Sequence, residues 1–335
     1  MAGPDSADRT DRHPLRCDHC GYPIPNEPLS TDVGRFCSKA CHEAVIDEST
    51  VSTPEEYGRV ATGVEPIDSL VSGGIPTDAF VLVSGEEGTR RSELLTELAW
   101  RALERGEPLV VVSYANPPTA TLERFFENEW NVLSALEEDR LRVLDCFTHR
   151  LADREGFLDA RNEWTAFVAE AATEAIVEVN DPGDVRETAS TLLGTLDDLE
   201  MSETGLVVID SLDELDALVQ DQLVHNFVKD VRATVCKARY VPIVAGATTA
   251  GEESAPDDEY VFDGIVDLRL ADHAESATRL TQIAIRKLIG TRYLPQWVTC
   301  EYEPGRGVTV SAPSRESSRP VDVDGTGRRR DRVDR

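Results

Sequence analysis

Between Tyr57 and Ser311, short unbroken runs of Val, Ile and Leu alternate with longer stretches of helical period, and this alternation restricts the fold more than any other feature. The runs Phe80–Ser84, Leu109–Ser113, Leu141–Asp145, Leu206–Asp210, Val241–Gly246, Ile265–Leu270, Thr281–Lys287 and Val308–Val310 predict strands. Strands without polar alternation are covered on both faces, which is the condition of a parallel sheet flanked by crossover helices. Helices are predicted over Ser92–Arg105, where Leu94, Leu95, Leu98, Ala102 and Leu103 share one face, and over Arg161–Glu178, Asp184–Leu199 and Asp213–Ala238. The last two strands, with the Pro304-Gly305 turn signal beside them, read as an antiparallel edge hairpin. The expected class is α/β, a mostly parallel sheet sandwiched by helices.

The rest of the 335 residues divides around this domain, taken as residues 57–311. Residues 1–14 are polar and expected to be disordered, residues 15–46 form a small cysteine-bearing module, and residues 47–56 read as a linker. Gly251–Glu259 reads as a charged mobile loop. Residues 312–335 read as a disordered polar tail whose Arg328–Arg330 cluster is simply solvated.

The small module carries Cys17-Asp-His-Cys20 and Phe36-Cys37-Ser-Lys-Ala-Cys41, a C-x2-C and C-x3-C pair. Thirty residues cannot bury enough apolar surface to hold a fold alone, whereas two such pairs bring four thiolates onto one tetrahedral Zn²⁺. Gly21 permits the tight knuckle after the first pair, and His19 and His42 stand beside the ligands, read as neighbours of the site, with substitution for one of the cysteines as the alternative. The module resembles the treble-clef knuckles of the TRASH and related metal-sensing families. A structural zinc held by Cys17, Cys20, Cys37 and Cys41 would make it a docking surface for a protein partner; metal sensing is the alternative role.

The segment Ala61-Thr-Gly63-Val-Glu-Pro-Ile-Asp68-Ser-Leu70-Val-Ser-Gly73-Gly74-Ile75-Pro76 precedes the first core strand, and Gly85-Glu-Glu-Gly88-Thr89-Arg90-Arg91-Ser92 follows it. Gly205–Leu212, Val244–Thr249 and Arg286–Gly290 come later in the same order. These stretches resemble, in content and sequence, the lead-in, Walker A, Walker B, sensor-strand and trans-acting segments of KaiC-like and archaeal RecA-superfamily ATPases. The resemblance implies a RecA-like P-loop NTPase fold, and it implies that Gly85, Gly88, Thr89, Arg91, Ser92 and Asp210 surround a nucleotide with its Mg²⁺.

The loop departs from the pattern where its chemistry is done. A working G-x-x-x-x-G-K-[ST] loop cradles phosphates with backbone amides, reaches the β/γ-phosphates with its lysine and holds Mg²⁺ with its hydroxyl. Here Arg90 replaces the second glycine and Arg91 the lysine, while Glu86 and Glu87 add negative charge. A guanidinium is wider and more diffuse than an ammonium. The strand after the P-loop helix ends in a pair of glutamates in the resembled family; here Val112-Ser113-Tyr114-Ala115-Asn116-Pro117-Pro118 has no carboxylate. Ile289 stands at the trans-acting arginine position beside Lys287. Together these losses argue against hydrolysis and leave binding of ATP with Mg²⁺ open, with Asp210 as a catalytic remnant. The reading is a non-catalytic or weakly nucleotide-binding regulatory or scaffolding protein. The competing readings are a slow ATPase using Arg91 with Asp213 or Glu214 as base, and a nucleic-acid-associated protein.

Charge weighs against the last of these. A formal net charge of −29 repels phosphate backbones, and only four lysines stand among the cations, an acid-rich and lysine-poor balance that resembles proteins of salt-loving archaea. A homo-oligomer is compatible with the resemblance, since its members form rings and filaments. No apolar run reaches eighteen residues and the polar N-terminus has no secretory core, so the expected setting is the cytoplasm, away from the membrane.

Overall fold

The computed structural model describes residues 16–19, 24, 28–39, 41–42, 58–248, 259–272 and 279–311. The expectations for residues 1–14, 47–56, 251–258 and 312–335, and the placement of Cys20 and Thr249, lie outside the described residues.

In the cysteine module, β1 (Leu29–Thr31) pairs antiparallel with β2 (Gly34–Phe36). The lead-in carries a two-residue ribbon of β3 (Arg59–Val60) and β4 (Ile75–Pro76). The main sheet contains β5 (Phe80–Gly85), β6 (Leu109–Ser113), β7 (Leu141–Asp145), β8 (Ile176–Glu178), β9 (Leu206–Ile209), β10 (Ile243–Thr248), β11 (Gly264–Asp272), β12 (Arg279–Leu288), β13 (Val298–Glu303) and β14 (Gly307–Val310). Their spatial order is β14-β13-β12-β11-β5-β10-β9-β6-β7-β8. From β11 to β8 the pairings are parallel, and β12, β13 and β14 extend the sheet antiparallel.

Strand periodicity splits the core into two layers. Val81 and Val83 of β5 face Leu94, Leu95, Leu98 and Ala102 of the helix Arg91–Glu104, while Phe80 and Leu82 face the other layer with Leu192, Phe227 and Val231. Because both faces of β5 are covered, its side chains are buried throughout. Each such Val, Leu or Phe contributes roughly 1.5–3 kcal/mol of transfer free energy. The expected α/β sandwich is the observed one.

Four details differ from the sequence reading. The predicted helix Arg161–Glu178 is a helix over Glu163–Ala171, capped by Asn162 Oδ1 accepting from Thr165 N at 2.9 Å, followed by β8, whose β-branched Ile176 and Val177 add to the edge of β7. The predicted helix Asp213–Ala238 is broken. Ser211 caps a short helix Leu212–Asp216, Asp221–Val231 follows, and a π-helical turn spans Arg232–Lys237. Pro118–Glu127 is a helix the sequence reading left out, with Pro118 in its first turn where the missing N–H is not needed. Finally, β12 and β14 do not form the edge hairpin. The overlooked β13 lies between them, and the Pro304-Gly305 turn joins β13 to β14. The half-solvated alternation of β13, Val-Thr-Cys-Glu-Tyr-Glu, lacks the continuous apolar run that marked the other strands.

Two acidic staples position the site. Asp68 accepts from Thr62 N, Thr62 Oγ1 and Gly63 N at 2.7–2.9 Å, fixing the lead-in against its helix. Asp263 accepts from Phe80 N at 3.0 Å and from Arg232 at 2.6 and 2.9 Å, with Lys237 Nζ 3.4 Å away. The five-residue offset between Arg232 and Lys237 matches the i→i+5 period of the π turn that carries them. Asp263 thus holds the start of β5, whose other end is the P-loop.

Candidate nucleotide site and cysteine cluster

Residues Gly85–Arg90 turn from β5 into the helix Arg91–Glu104. A Cβ on Gly85 would meet Thr89 Oγ1 at 2.7 Å and Leu268 Cβ at 2.9 Å, and Gly88 has φ +86°, so both positions need glycine. Thr89 Oγ1 donates to Glu86 O at 2.7 Å, closing the turn on itself. Arg90 occupies the left-handed region (φ 60°, ψ 36°), the conformation that a glycine would adopt without strain and that costs another residue about 1–2 kcal/mol. Its guanidinium lies 5.1 Å from the centroid of the Tyr302 ring. The loop and Thr248 line an open cavity of about 310 Å³.

Arg91 turns toward the carboxyl ends of β9 and β10. Its Nη1 donates to Thr248 Oγ1 at 2.9 Å, and its Nη2 lies 3.6 Å from Asp213 Oδ2. The same Asp213 oxygen accepts from Thr248 N and Thr248 Oγ1, each at 2.8 Å. Arg91 Nε is buried with no hydrogen-bond partner. Burial lowers the Arg91 pKa from its ordinary value, with Asp213 and Asp210 acting the other way. Gly246 makes this approach feasible, because a Cβ there would fall 2.7 Å from Asp210 O and 2.8 Å from Leu95 Cδ1. The charge of Glu86, expected inside the loop, is instead drawn to β11, where Oε1 accepts from Leu270 N at 2.9 Å with Arg279 3.9 Å away.

Asp210 follows β9 and faces β6. Oδ1 accepts from Tyr114 N at 2.8 Å; Oδ2 accepts from Ala115 N at 3.0 Å and Ser113 Oγ at 3.1 Å. Burial pushes its carboxyl up, against these donors and Arg124, which pull it down. A void of about 30 Å³ separates Asp210 from Ser92 and is lined also by Arg124 and Thr121. Asn116, at the position of an expected water-activating acid, accepts from Arg124 Nη2 at 3.2 Å. The two acids weighed as alternative bases are engaged, Asp213 by Arg91 and Thr248, and Glu214 by Arg150 at 3.1 Å. Ile289 at the trans-acting position is 55% exposed. Sequence reasoning missed Arg124, on the unrecognised helix Pro118–Glu127, and Tyr302 on β13. Tyr302 borders a second cavity of about 390 Å³ that shares Thr89 and Arg90 with the loop.

In the cysteine module, the sulfurs of Cys17, Cys37 and Cys41 lie within 4.8 Å of one another, with Cys37 and Cys41 at 3.5 Å. Four thiolates tetrahedrally bound at about 2.3 Å stand about 3.8 Å apart, so the spacing suits one soft ion. Phe36, 1% exposed, and Ile24 pack behind the cluster, and Asp18 holds Arg35 through N–H bonds in both directions. Arg292, from the segment between β12 and β13, reaches Cys37 Sγ at 4.0 Å.

A mostly parallel sheet with a glycine-bounded loop between its central strand and a long helix defines a P-loop NTPase of the RecA type. Within that class, the family described as "ATPase: KaiC" matches residues 60–315, and the chain belongs to it. A UPF0273 protein of Methanocaldococcus jannaschii is 25% identical over 63% of this chain and 80% of its own length. Another, of Methanopyrus kandleri, is 27% identical over 63% of this chain and 77% of its own. The crystal structure of a KaiC-like protein of Pyrococcus horikoshii superposes with TM-score 0.58 at 18% identity, covering 76% of this chain and all of that one, a likeness of fold. No helix among the described residues is long and apolar enough to cross a membrane.

Proposed function

We propose that this KaiC-family chain is a regulatory or scaffolding member that does not hydrolyse ATP, retains weak nucleotide binding and offers its cysteine module, closed around a structural Zn²⁺, to a protein partner. The observation that carries the reading is the engagement of Arg91. The cation at the lysine position is tied to Thr248 and Asp213 at the strand ends, and no free carboxylate stands at Ala115 or Asn116 to take a proton from water. The zinc reading is supported by the three clustered thiols and by the Cys17-x-x-Cys20 spacing. Cys146, Cys236 and Cys300 are buried apart from them, where thiols are inert.

Purified protein of residues 1–335 incubated with Mg-ATP at high salt should give no turnover above a no-protein control. Turnover by the natural sequence that Asp210→Asn abolishes would sink the reading and establish the slow ATPase instead. Zinc content of about one ion per chain, lost in Cys17→Ser and in Cys20→Ser, is the expected result for the knuckle; unchanged content would refute that ligand set.

A further inference from the structure

We infer that the loop Gly85–Ser92 takes the phosphates of a nucleotide without a divalent cation, with Arg90 and Arg91 supplying the positive charge. The inference rests on the nucleotide-binding reading above and concerns how that site is neutralised.

The Mg²⁺ that the family implies does not fit the residues present. Magnesium demands six oxygens in near-octahedral array at about 2.0–2.1 Å and keeps several of its waters. In P-loop enzymes the loop hydroxyl and the Walker B aspartate hold that hydrated ion between them. Here those groups are Ser92 and Asp210, and the void they share is about 30 Å³. That is room for about two or three waters, fewer than a hexahydrated ion carries. A carboxylate has about four acceptor positions. Asp210 spends three of them on Tyr114 N, Ala115 N and Ser113 Oγ at 2.8–3.1 Å, all on the β6 side. Arg124 lines the same void, so a cation already stands beside the carboxylate.

The phosphate side of the site survives. Gly85 and Gly88 still allow the backbone to wrap, and the loop opens into about 310 Å³ at the N-terminus of a fourteen-residue helix. Arg90 and Arg91 are both on its wall, and Arg91 reaches a phosphate by exchanging its contacts with Thr248 and Asp213 for phosphate oxygens. Of the three acids on its wall, Glu86, Glu87 and Glu93, Glu86 is engaged by Leu270 N and Arg279. Guanidinium groups bind phosphate oxygens in pairs and need no metal to do so.

The test is calorimetric titration of the protein of residues 1–335 with ADP and ATP, once with excess Mg²⁺ and once with buffer and nucleotide freed of divalent cations on a chelating resin before the protein is added. The expected result is an affinity that differs by less than about threefold between the two, with Arg91→Ala weakening both by about tenfold or more. Thermal melting of the Arg91→Ala protein checks that it is folded, and the metal comparison on the natural sequence stands without it. Binding more than about threefold tighter with Mg²⁺ would overturn metal independence while leaving the nucleotide reading intact. No binding under either condition would overturn the nucleotide reading itself, and the inference with it.

Discussion

Replacing Asp263 tests how the start of the P-loop strand is held. Its side chain is 4% exposed and serves three partners: Phe80 N at 3.0 Å, Arg232 at 2.6 and 2.9 Å, and Lys237. Asp263→Ala leaves the Phe80 N–H buried without an acceptor, a loss of about 1–3 kcal/mol. It also removes the charge from two cations, and breaking a buried pair costs about 3–5 kcal/mol. Arg232 and Lys237 are each 34% exposed and regain water, and Lys237 keeps Asp78 at 2.7 Å, which discounts the total to about 3 kcal/mol. Asp263→Asn keeps an acceptor for Phe80 N and loses only the charge, at about 1–2 kcal/mol. In a domain of this size 1 kcal/mol moves Tm by about 2–4 °C, so the alanine variant should melt about 6–12 °C lower and the asparagine variant about 2–8 °C lower. Scanning calorimetry together with denaturant unfolding supplies both quantities. Equal losses in the two variants would show that the Phe80 hydrogen bond carries nothing. Losses under 1 kcal/mol in both would refute the staple altogether.

The same residue predicts an acid limb. Burial alone would raise the Asp263 pKa, but the bonds from Arg232 and Phe80 N and the charge of Lys237 bring it below its ordinary value. Its contribution is therefore full above the unfolded pKa and is lost as pH falls through the folded one, below about pH 4; stability measured against pH should be shallower there in Asp263→Asn. At Gly74 (φ +92°) an added Cβ would sit 2.2 Å from Val60 O, whereas at Gly106 (φ +80°) it would meet nothing within 4 Å. Gly74→Ala should cost about 3 kcal/mol or more or prevent folding, and Gly106→Ala only about 1 kcal/mol, as urea titration can read. Burial pushes the Cys300 thiol up to about 12 and raises Cys146 and Cys236 as well. A thiol reagent at neutral pH should leave all three unlabelled in the native protein and label them once it is unfolded; native labelling of any of them would contradict their burial.

What the sequence determined by itself was whatever local chemistry writes locally. Unbroken aliphatic runs named β5, β6, β9 and β10, because strands covered on both faces carry few polar residues, and β7 was legible despite Arg142. The Gly85–Ser92 spacing located the loop and its two arginine substitutions, and the cysteine gaps located the thiol cluster. Where the local signal was ambiguous the tertiary structure decided. The alanine- and glutamate-rich run before Ile176 suits a helix, and only the free edge of β7 turned its end into β8. Strand β13 depends on β12 and β14 for its hydrogen bonds and carries no apolar run of its own. The fate of the substituted loop was likewise settled at long range. Arg91 meets Thr248 across 157 residues, Asp210 meets Ala115 across 95, and Glu86 meets Leu270 across 184. Residue type and spacing name the groups that can carry charge, but which of them end up facing one another depends on how the sheet orders its strands, a property of the whole packed chain.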